Sequence, residues 1–406
     1  MEKKITISLK DNSKNRNELL NRVENTVLFI LHQICHRKIP KVFYTTLKSD
    51  VWVNSMDTND FEMDENDDNS SINSNSSLFS LVQYQQLDEE LSSLEILNYC
   101  KDLNINNNMR GSIINFANPR GRIKMSRMII ILAQAYKHLI SEQIQTKRSF
   151  YYELKGGNAA HLFERPEIID KNICHVANLL QCTTWDLGFI ATSKGLVAGN
   201  LSFTFESGDK TNCCTPNGVL IPQIAANNAG QIVEINYSAT SILIVEKESI
   251  FQKLLDEDCP RKLGVIIITG KGYPDVATRV FIKMLVDNIS LPIFILVDAN
   301  PHGFEIMCVY KYGSINLWWE NENLICPTIN WIGFYPSELI GLHLPRLPLT
   351  DNDKMKIRSL EKRFYINDDE RKELKIMQQG KAEIESVAGI SSRFLTSFYL
   401  KLKIPH

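Results

Sequence analysis

Two short apolar runs, each ending in an acidic residue, constrain the fold of this chain more than any other feature. SILIV is followed by Glu246, and IFILV is followed by Asp298. A run that is apolar and β-branched at nearly every position is typical of a strand buried on both faces, as in a parallel sheet covered by helices. Because groups at the carboxyl ends of such strands converge on one crevice, we expect Glu246 and Asp298 to lie close together.

The two acids predict a site for a hard divalent cation, Mg²⁺, because neither a thiol pair nor a HExxH helix accompanies them. A single acid after a buried strand is more often a helix cap or part of a surface ion pair. Two acids in one sheet favour the metal site. The tight turn after Asp298, D-x-N-P-x-G with Pro301 and Gly303, also favours it.

Length and composition limit the class of protein. The 406 residues, 44% of them apolar, are enough for two or three domains with proper cores. The start, MEKKITISLK, lacks the apolar segment of a signal peptide, and no apolar run is long enough for a bilayer, so we expect neither secretion nor membrane insertion. The nine cysteines form no C-x-x-C pair, which favours reduced thiols in the nucleus or cytosol. Neither a GxxxxGK[ST] loop nor a Rossmann glycine pattern is present, so we expect no ATP or NAD site.

Charge is unevenly distributed along the chain, although the net charge is only −2. Residues 51–100 contain eleven acidic residues and no lysine or arginine, whereas residues 101–150 contain nine basic residues and two acidic ones. A charged segment is most often solvated surface, but concentrated basic residues are also typical of phosphate binding. The basic segment is therefore a candidate nucleic-acid surface.

The first half of the chain is predicted to be mainly helical. An amphipathic pattern predicts a helix at 12–36, and the polar stretch at 54–77 predicts disorder. Further helices are predicted at 123–143 and 168–180, followed by a β-ribbon made of 189–191, the turn SKG at 193–195 and 196–205; this order is typical of a winged helix-turn-helix domain. The core-facing stripe of the 123–143 helix is predicted to consist of Met125, Met128, Ile129, Leu132, Tyr136 and Leu139.

Strands and helices alternate in the second half of the chain. The predicted strands are 241–245, 263–268, 293–297, 306–310 and 328–333. Helices are predicted at 247–255 and 275–288. This alternation predicts a doubly wound, mostly parallel sheet, followed from Asp351 by charged amphipathic helices.

A pair of tyrosines, Tyr151 and Tyr152, lies in the basic segment directly after Lys147 and Arg148. A phenolic oxygen can attack a phosphodiester when a nearby cation favours phenolate and a metal ion stabilises the charge on the phosphate. Two tyrosines that fill a core are the commoner arrangement, and the residues alone leave both roles open. Lys147 is a candidate DNA contact in either case.

Five segments, taken together, resemble one known family. They are TKRSFYY at 146–152, ATSKGLVAGNL at 191–201, ILIVEKESIFQKLL at 242–255, ITGKGYPDVATR at 268–279 and VDANPHGFEIMCVYKYGS at 297–314. In this order they resemble the eukaryotic meiotic double-strand-break transesterases, which are homologous to the A subunit of archaeal topoisomerase VI, a type IIB DNA topoisomerase. The resemblance covers roughly residues 120–340 as a set of motifs, and residues 1–110 match nothing in the family.

The resemblance implies an α/β protein with a winged-helix domain of the catabolite-activator type, followed by a Toprim domain with a mostly parallel sheet. The expected divisions are an N-terminal helix with the acidic segment at 1–110, the winged-helix domain at 111–205, a connector at 206–235 and the Toprim domain with C-terminal helices at 236–406.

The resemblance also implies a role for individual residues. Tyr152 is the nucleophile, which forms a 5′-phosphotyrosyl link to DNA, and Arg148 contacts the phosphate. Tyr151 is the neighbour that is not essential. The remaining implied residues are the DNA contacts Lys194 and Tyr273 and the Mg²⁺ ligands Glu246, Asp298 and Asn300.

Two positions depart from the family pattern. Asn300 replaces the second acid of the usual D-x-D motif, and Ser149 stands where an acid commonly follows the arginine. The amide of Asn300 still offers an oxygen to Mg²⁺, but the loss of one negative charge is expected to weaken ion binding.

The partners that the resemblance implies are duplex DNA, a second copy of the chain, a protein similar to the B subunit of topoisomerase VI, and accessory meiotic factors in the nucleus. In such a homodimer, the tyrosine of one protomer reaches the metal site of the other. The N-terminal helix at 17–36 is the predicted docking element for the B-like subunit. Two alternatives stay open at this point, a non-catalytic DNA-binding paralogue and a reversible type IIB topoisomerase A subunit.

Overall fold

The computed structural model describes residues 3–7, 13–47, 109–223, 231–314, 317, 323–391 and 393–405. The segment at 54–77 that is predicted to be disordered lies outside these residues. Within the described residues, no helix is both long enough and apolar enough to cross a membrane.

The elements are numbered in chain order. The helices are α1 Ser13–Cys35, α2 Pro119–Ser141, α3 Lys147–Lys155, α4 Pro166–Leu180, α5 Glu248–Asp256, α6 Cys259–Leu263, α7 Val276–Asn288, α8 Pro301–Tyr312, α9 Glu338–Gly341, α10 Asp351–Glu361, α11 Asp368–Met377, α12 Ile384–Ala388 and α13 Lys401–Lys403, with a 3₁₀ turn at Ala160–Leu162 and a π-helical segment at Leu395–Leu400. The strands are β1 Lys3–Thr6, β2 Lys41–Leu47, β3 Met109–Asn115, β4 Gln145–Thr146, β5 Phe189–Ile190, β6 Leu196–Ala198, β7 Leu201–Phe205, β8 Lys210–Asn212, β9 Val219–Leu220, β10 Ile232–Tyr237, β11 Ser241–Val245, β12 Val265–Thr269, β13 Ile293–Leu296 and β14 Asn330–Gly333.

A six-stranded sheet forms the centre of the second half, in the order β14-β13-β11-β12-β6-β9. Strand β11 is parallel to β12 and β13, and β13 is parallel to β14, whereas β6 and β9 join antiparallel at one edge. Every residue of β11, β12 and β13 is buried, and alternate residues of β11 belong to separate apolar clusters on the two faces. The predicted mostly parallel sheet, buried on both sides, is confirmed.

One strand prediction in this half is wrong. The apolar run at 306–310 lies inside helix α8, which begins at Pro301 and is capped by the side chain of Asn300. A short apolar run fits a buried helix as well as a buried strand, so its periodicity cannot separate the two. The proline at the first helical position and the asparagine before it are the local signals that favour the helix.

A separate apolar core lies in the first half of the chain, built from α1, α2, α3 and α4 with the antiparallel pair β2–β3. The predicted core-facing residues of α2 are buried or half-buried except Ile129, which is 42% exposed. That prediction is wrong because the buried stripe of α2 is centred further round the helix, where Ile131 and Ala135 lie.

The ribbon predicted from 189–191 and 196–205 is also wrong, because β5 pairs in parallel with β4. Strand β6 pairs with β12 and β9 of the six-stranded sheet, whereas β7 pairs with β8 and β10 in a four-stranded sheet of order β1-β10-β7-β8. The chain changes sheets at Gly199, whose φ of +125° suits glycine and whose added Cβ would meet the Val265 carbonyl oxygen at 2.8 Å. Alternation in sequence predicts strands but not their partners.

All three expected divisions between domains cut through observed strands or strand pairs, and the one at 235/236 falls within β10. The limit at 110/111 falls within β3, whose partner β2 comes from residues 41–47. The limit at 205/206 separates β7 from β8 and β10, with which it pairs. Residues 13–47 share one core with α2 because α1 buries Leu19, Val23 and Ile30 there. The N-terminal helix is thus an integral part of the helical core.

Candidate active site

Glu246 and Asp298 lie together at the carboxyl ends of β11 and β13. The backbone N–H of Asp298 donates to Glu246 Oε2 at 2.8 Å, although 52 positions separate the two residues. Both side chains are buried. The prediction that these two acids converge is confirmed, and the cause is the parallel pairing of β11 with β13 in register.

Burial makes this pair of carboxylates electrostatically unusual. Loss of hydration raises the pKa of Glu246 to about 7, and the neighbouring Asp298 adds to this effect. Burial likewise raises the pKa of Asp298. Two buried carboxylates on residues this close together favour a bound cation, because a cation offsets both the lost hydration and the mutual repulsion.

Both oxygens of Asp298 have hydrogen-bond donors. Oδ1 accepts from the backbone N–H of Ile384 at 2.9 Å. Oδ2 accepts from Lys247 Nζ at 3.0 Å and from Asn300 Nδ2 at 3.2 Å. The carboxylate of Asp298 is therefore fixed by a strand end, a neighbouring lysine and a backbone segment that lies 86 positions away.

Asn300 lies at this site but directs its amide nitrogen toward Asp298. Its oxygen Oδ1 accepts from the backbone N–H of Gly303 at 2.8 Å and so caps helix α8. An amide nitrogen is a donor and cannot ligate a metal ion, so Asn300 in this conformation orients Asp298. The role of Asn300 as a metal ligand stays a prediction.

Gly303 allows the close approach of these groups. A Cβ added at this position would lie 2.6 Å from the Asp298 carbonyl oxygen and 2.9 Å from Glu246 Oε2. Both distances are shorter than a carbon side chain permits. The D-x-N-P-x-G motif therefore needs glycine because the start of α8 packs directly on both acids.

Two further predicted residues, Tyr273 and Lys194, lie beside this pair. Tyr273 is on the loop between β12 and α7, and Lys194 is on the turn before β6. The backbone N–H of Gly272 donates to the Glu246 carbonyl oxygen at 2.9 Å, which attaches the loop to the site. The backbone N–H of Lys194 donates to Asp275 Oδ2 at 2.7 Å, and Lys194 Nζ lies 3.4 Å from the Lys271 carbonyl oxygen. The structure thus brings the SKG turn and the GKGYPD loop together next to the acids.

Tyr273, on this loop, is exposed, and its hydroxyl donates to the carboxylate of Glu305. Glu305 also accepts from Lys356 at 2.6 Å and from Arg363 at 2.7 Å. Burial alone would raise the pKa of Glu305, but the Arg363 and Lys356 cations outweigh it and lower the pKa to about 2. Glu305 is therefore ionised at neutral pH and connects Tyr273 of the loop to Lys356 and Arg363 of the C-terminal part.

The two tyrosines of helix α3 occupy opposite environments. Tyr151 is 6% exposed, belongs to the helical core and donates its hydroxyl to the Glu164 carbonyl oxygen at 3.1 Å. Tyr152 is 55% exposed, and the guanidinium carbon of Arg148 lies 6.0 Å from the centre of its ring. The helix begins where Thr146 caps it by accepting from the Ser149 backbone N–H at 3.0 Å.

Sequence reasoning missed three residues of the site, namely Lys247, Lys271 and Asp275. All three lie inside segments that were recognised, Lys247 in 242–255 and the other two in 268–279. Their contacts join segments distant in sequence, which no local pattern indicates. Among the described residues, no three or more His, Cys, Asp or Glu side chains are grouped as a metal-binding cluster, so two carboxylates define the candidate centre.

Comparisons with known proteins agree with this architecture. The Toprim-domain family of Spo11 and the topoisomerase 6 A subunit matches residues 241–404, and the family described as type IIB DNA topoisomerase matches residues 123–189. The human meiotic recombination protein SPO11 is 40% identical over 295 residues, which span 70% of this chain and 72% of the human protein.

Two plant relatives extend the comparison. Meiotic recombination protein SPO11-1 of Arabidopsis thaliana is 33% identical over 70% of this chain and 78% of that protein. The DNA topoisomerase 6 A subunit of the same plant is 31% identical over 68% of this chain and 64% of that protein. The α/β fold with a Toprim domain and the predicted family are thereby confirmed. This chain belongs to the family of Spo11 proteins and topoisomerase 6 A subunits.

Proposed function

We propose that this chain cuts duplex DNA by transesterification from Tyr152 and that the cut initiates meiotic recombination. The observation that carries the proposal is the contrast within helix α3, where Tyr152 is exposed beside Arg148 while Tyr151 is buried in the core. Family membership supports it, because relatives named as meiotic recombination proteins align with 70% of the chain.

In the proposed step, the Tyr152 oxygen forms a bond to a backbone phosphorus as its hydroxyl proton leaves. The bond between phosphorus and the 3′ oxygen breaks, and that oxygen takes up a proton. The products are a 5′-phosphotyrosyl link and a free 3′ hydroxyl. Arg148 is placed to pair with the phosphate, because its guanidinium lies over the tyrosine ring and is exposed.

Glu246 and Asp298 suit a Mg²⁺ ion, because both are oxygen ligands, both are buried, and burial raises the pKa of each. Mg²⁺ bound there would supply charge stabilisation to the phosphate. Glu246 and Asp298 would hold the ion, and Asn300 would keep Asp298 oriented through its amide nitrogen.

The DNA path is proposed to follow Lys147, Lys194, Lys271 and Tyr273. Three of these lie on the joined turn and loop beside the acids, and Lys147 lies on the helix that carries Tyr152. Lysine contacts to phosphates position DNA without reading its sequence.

The active unit is proposed to be a homodimer with two shared sites. Tyr152 lies on the helical core, whereas Glu246 and Asp298 lie on the six-stranded sheet, which packs around different apolar clusters. A second copy could bring its tyrosine to these acids, so that each of the two sites cuts one strand. We further propose nuclear, chromosome-associated action together with accessory meiotic factors.

The B-like subunit is proposed to dock on an apolar patch of α1 made of Leu28, Leu31 and Ile34, all of which are exposed. Arg16 pairs with Glu142, and the Tyr136 hydroxyl donates to Glu24 at 2.8 Å, so α1 and α2 run antiparallel. Continued along the helices, that register places exposed Ile129 of α2 level with Leu31.

Point variants test this docking better than deletion of the helix, because α1 buries its other face in the core. Leu28→Glu combined with Leu31→Glu is expected to abolish association with a B-like subunit in a pull-down while the thermal midpoint is retained. Ile140→Glu, at an exposed position near the far end of α2, is the matched control. Unchanged association of the double variant would contradict the docking proposal.

Trapping of a covalent complex tests the main proposal. Duplex DNA and Mg²⁺ are incubated with the protein and its B-like partner, the mixture is denatured, and DNA linked to protein is measured. Linkage lost in Tyr152→Phe but kept in Tyr151→Phe is the expected result. Relaxation of supercoiled DNA in the same mixture would indicate a resealing topoisomerase. No linkage from DNA-binding protein, with linkage restored by Asn300→Asp, would indicate a non-catalytic paralogue.

A further inference from the structure

Lys247 is the one residue between Glu246 and helix α5, and its ammonium group contacts three carboxylates. Nζ lies 3.0 Å from Asp298 Oδ2, 3.2 Å from Glu383 Oε2 and 2.8 Å from Glu385 Oε2. The side chain of Lys247 is 25% exposed, so this cation is partly shielded from water.

Glu383 and Glu385 belong to a C-terminal segment that is attached to the candidate site by its backbone. The N–H of Ile384, between the two acids, donates to Asp298 Oδ1 at 2.9 Å. The N–H of Ala382 donates to the Ala299 carbonyl oxygen at 3.0 Å. Lys247 therefore lies where residues 382–385 close on the acidic pair.

We propose that Lys247 is a positioning residue, which acts as the counter-cation of Asp298 until a divalent cation binds and then remains paired with Glu383 and Glu385. This inference rests on the metal site in the proposed function. It assigns to Lys247 the control of how tightly that cation binds.

The argument starts from Asp298 Oδ2, the oxygen that the Ile384 backbone does not use. A divalent cation that binds this oxygen approaches an ammonium group already 3.0 Å away. Two cations that share one carboxylate oxygen repel each other in a partly buried site, so Lys247 must release Asp298 before the divalent cation can bind tightly.

Release of Asp298 does not leave Lys247 without partners. Its contacts with Glu383 and Glu385 persist, and Glu385 is held in addition by the Ser249 hydroxyl at 3.2 Å. Both glutamates are well exposed, so the retained pairs carry little desolvation cost. Lys247 thus loses its contact with Asp298 and keeps those with Glu383 and Glu385, so residues 382–385 stay in place.

The alternative is a purely structural tie between α5 and the C-terminal segment. The two roles predict opposite effects of Mg²⁺ on a variant without the ammonium. If Lys247 is only a structural tie, a variant without the ammonium loses stability whether or not Mg²⁺ is present. If Lys247 is a counter-cation, Mg²⁺ takes its place and restores the stability of that variant.

The test compares wild type, Lys247→Met and Lys247→Arg by thermal unfolding in EDTA and in Mg²⁺, with Mg²⁺ affinity measured by calorimetry. Lys247→Met is expected to unfold at lower temperature in EDTA, to regain most of that loss in Mg²⁺, and to bind Mg²⁺ about tenfold more tightly than wild type. Lys247→Arg is expected to behave like wild type. Lys283→Met, which removes an exposed pair with Asp287 on α7, is the matched control and should show no Mg²⁺-dependent difference.

Glu385→Gln supplies a prediction of opposite sign. With fewer retained partners, Lys247 holds Asp298 more firmly, so this variant is expected to bind Mg²⁺ more weakly than wild type. If wild type binds Mg²⁺ but Lys247→Met binds no more tightly, or its lost stability does not return in Mg²⁺, the inference is overturned and the proposed function stands. If neither protein binds Mg²⁺, both are overturned.

Discussion

Tyr152, the proposed nucleophile, and Asp298, a proposed metal ligand, have opposite exposure to solvent. Tyr152 is exposed on a nine-residue helix, with Arg148 as its neighbour. Asp298 is buried, and its oxygens accept from Ile384, Lys247 and Asn300. An exposed nucleophile is free to meet a phosphate from outside, whereas the acids are fixed before any ligand arrives.

This contrast predicts that the two residues contribute differently to stability. Asp298→Ala is expected to abolish covalent linkage to DNA and to lower the free energy of unfolding by about 3 kcal/mol, because it leaves the N–H of Ile384 and the amide of Asn300 without their acceptor. Tyr152→Phe is expected to abolish linkage while changing that free energy by less than about 0.5 kcal/mol. Denaturant titration beside the trapping assay measures both. Equal stability losses in the two variants would break the comparison.

Glu305 resembles Asp298 in that several donors fix its carboxylate, and one of these donors is Tyr273 of the loop. The pKa of Glu305 falls from an ordinary value of 4.5 to about 2 on folding, so its ionised form stabilises the protein above pH 4.5 and this contribution is lost as the pH falls toward 2. Glu305→Gln is expected to cost about 3 kcal/mol at pH 7. The difference from wild type should shrink between pH 4.5 and pH 2 in unfolding experiments. A constant difference over that range would rule out the ionic origin.

Asn300→Asp adds a negative charge beside the carboxylate of Asp298, which Ile384 and Lys247 also hold in place. Asparagine and aspartate cap helices about equally well, so α8 should keep its cap, and the added carboxylate is expected to tighten Mg²⁺ binding about tenfold. Asn367→Asp, the same change at the cap of α11, is the control. Calorimetric titration with Mg²⁺ decides the matter, and an affinity equal to that of wild type would contradict the expectation.

The smallest expected effect concerns Tyr151, the buried neighbour of the proposed nucleophile. Tyr151→Phe removes the hydrogen bond to the Glu164 carbonyl oxygen and should cost about 1 kcal/mol of stability, with covalent linkage unchanged. Thermal unfolding and the trapping assay together test this. Loss of linkage in a stable Tyr151→Phe protein would show that the two tyrosines are not divided as their exposure indicates.

Sequence predicts the parts of this site that depend on strand order. Glu246 and Asp298 follow fully apolar runs, and parallel strands bring their carboxyl ends to one edge, so the meeting of the two acids could be inferred. The loop and helix motifs were recognised for a different reason, because each is a short continuous segment that resembles the family.

Other parts of the site depend on contacts that leave no local pattern. The Ile384 backbone reaches Asp298 across 86 positions, and Asp275 receives the backbone N–H of Lys194 across 81. Strand partners are equally hidden, as β6 and β7 show by joining different sheets on either side of Gly199. Tertiary packing decides such contacts, and a single sequence does not display it.

Strand β1 pairs with β10 in the four-stranded sheet, yet the next helix, α1, packs in the helical core. The chain therefore passes between the sheet-bearing part and the helical core once after β1 and again between β5 and β6. The helical core is therefore attached to the sheet-bearing part at both of its chain ends, at one end through the pairing of β1 with β10 and at the other through the chain that enters β6. These two attachments limit how far Tyr152 can lie from Glu246 and Asp298 of its own chain.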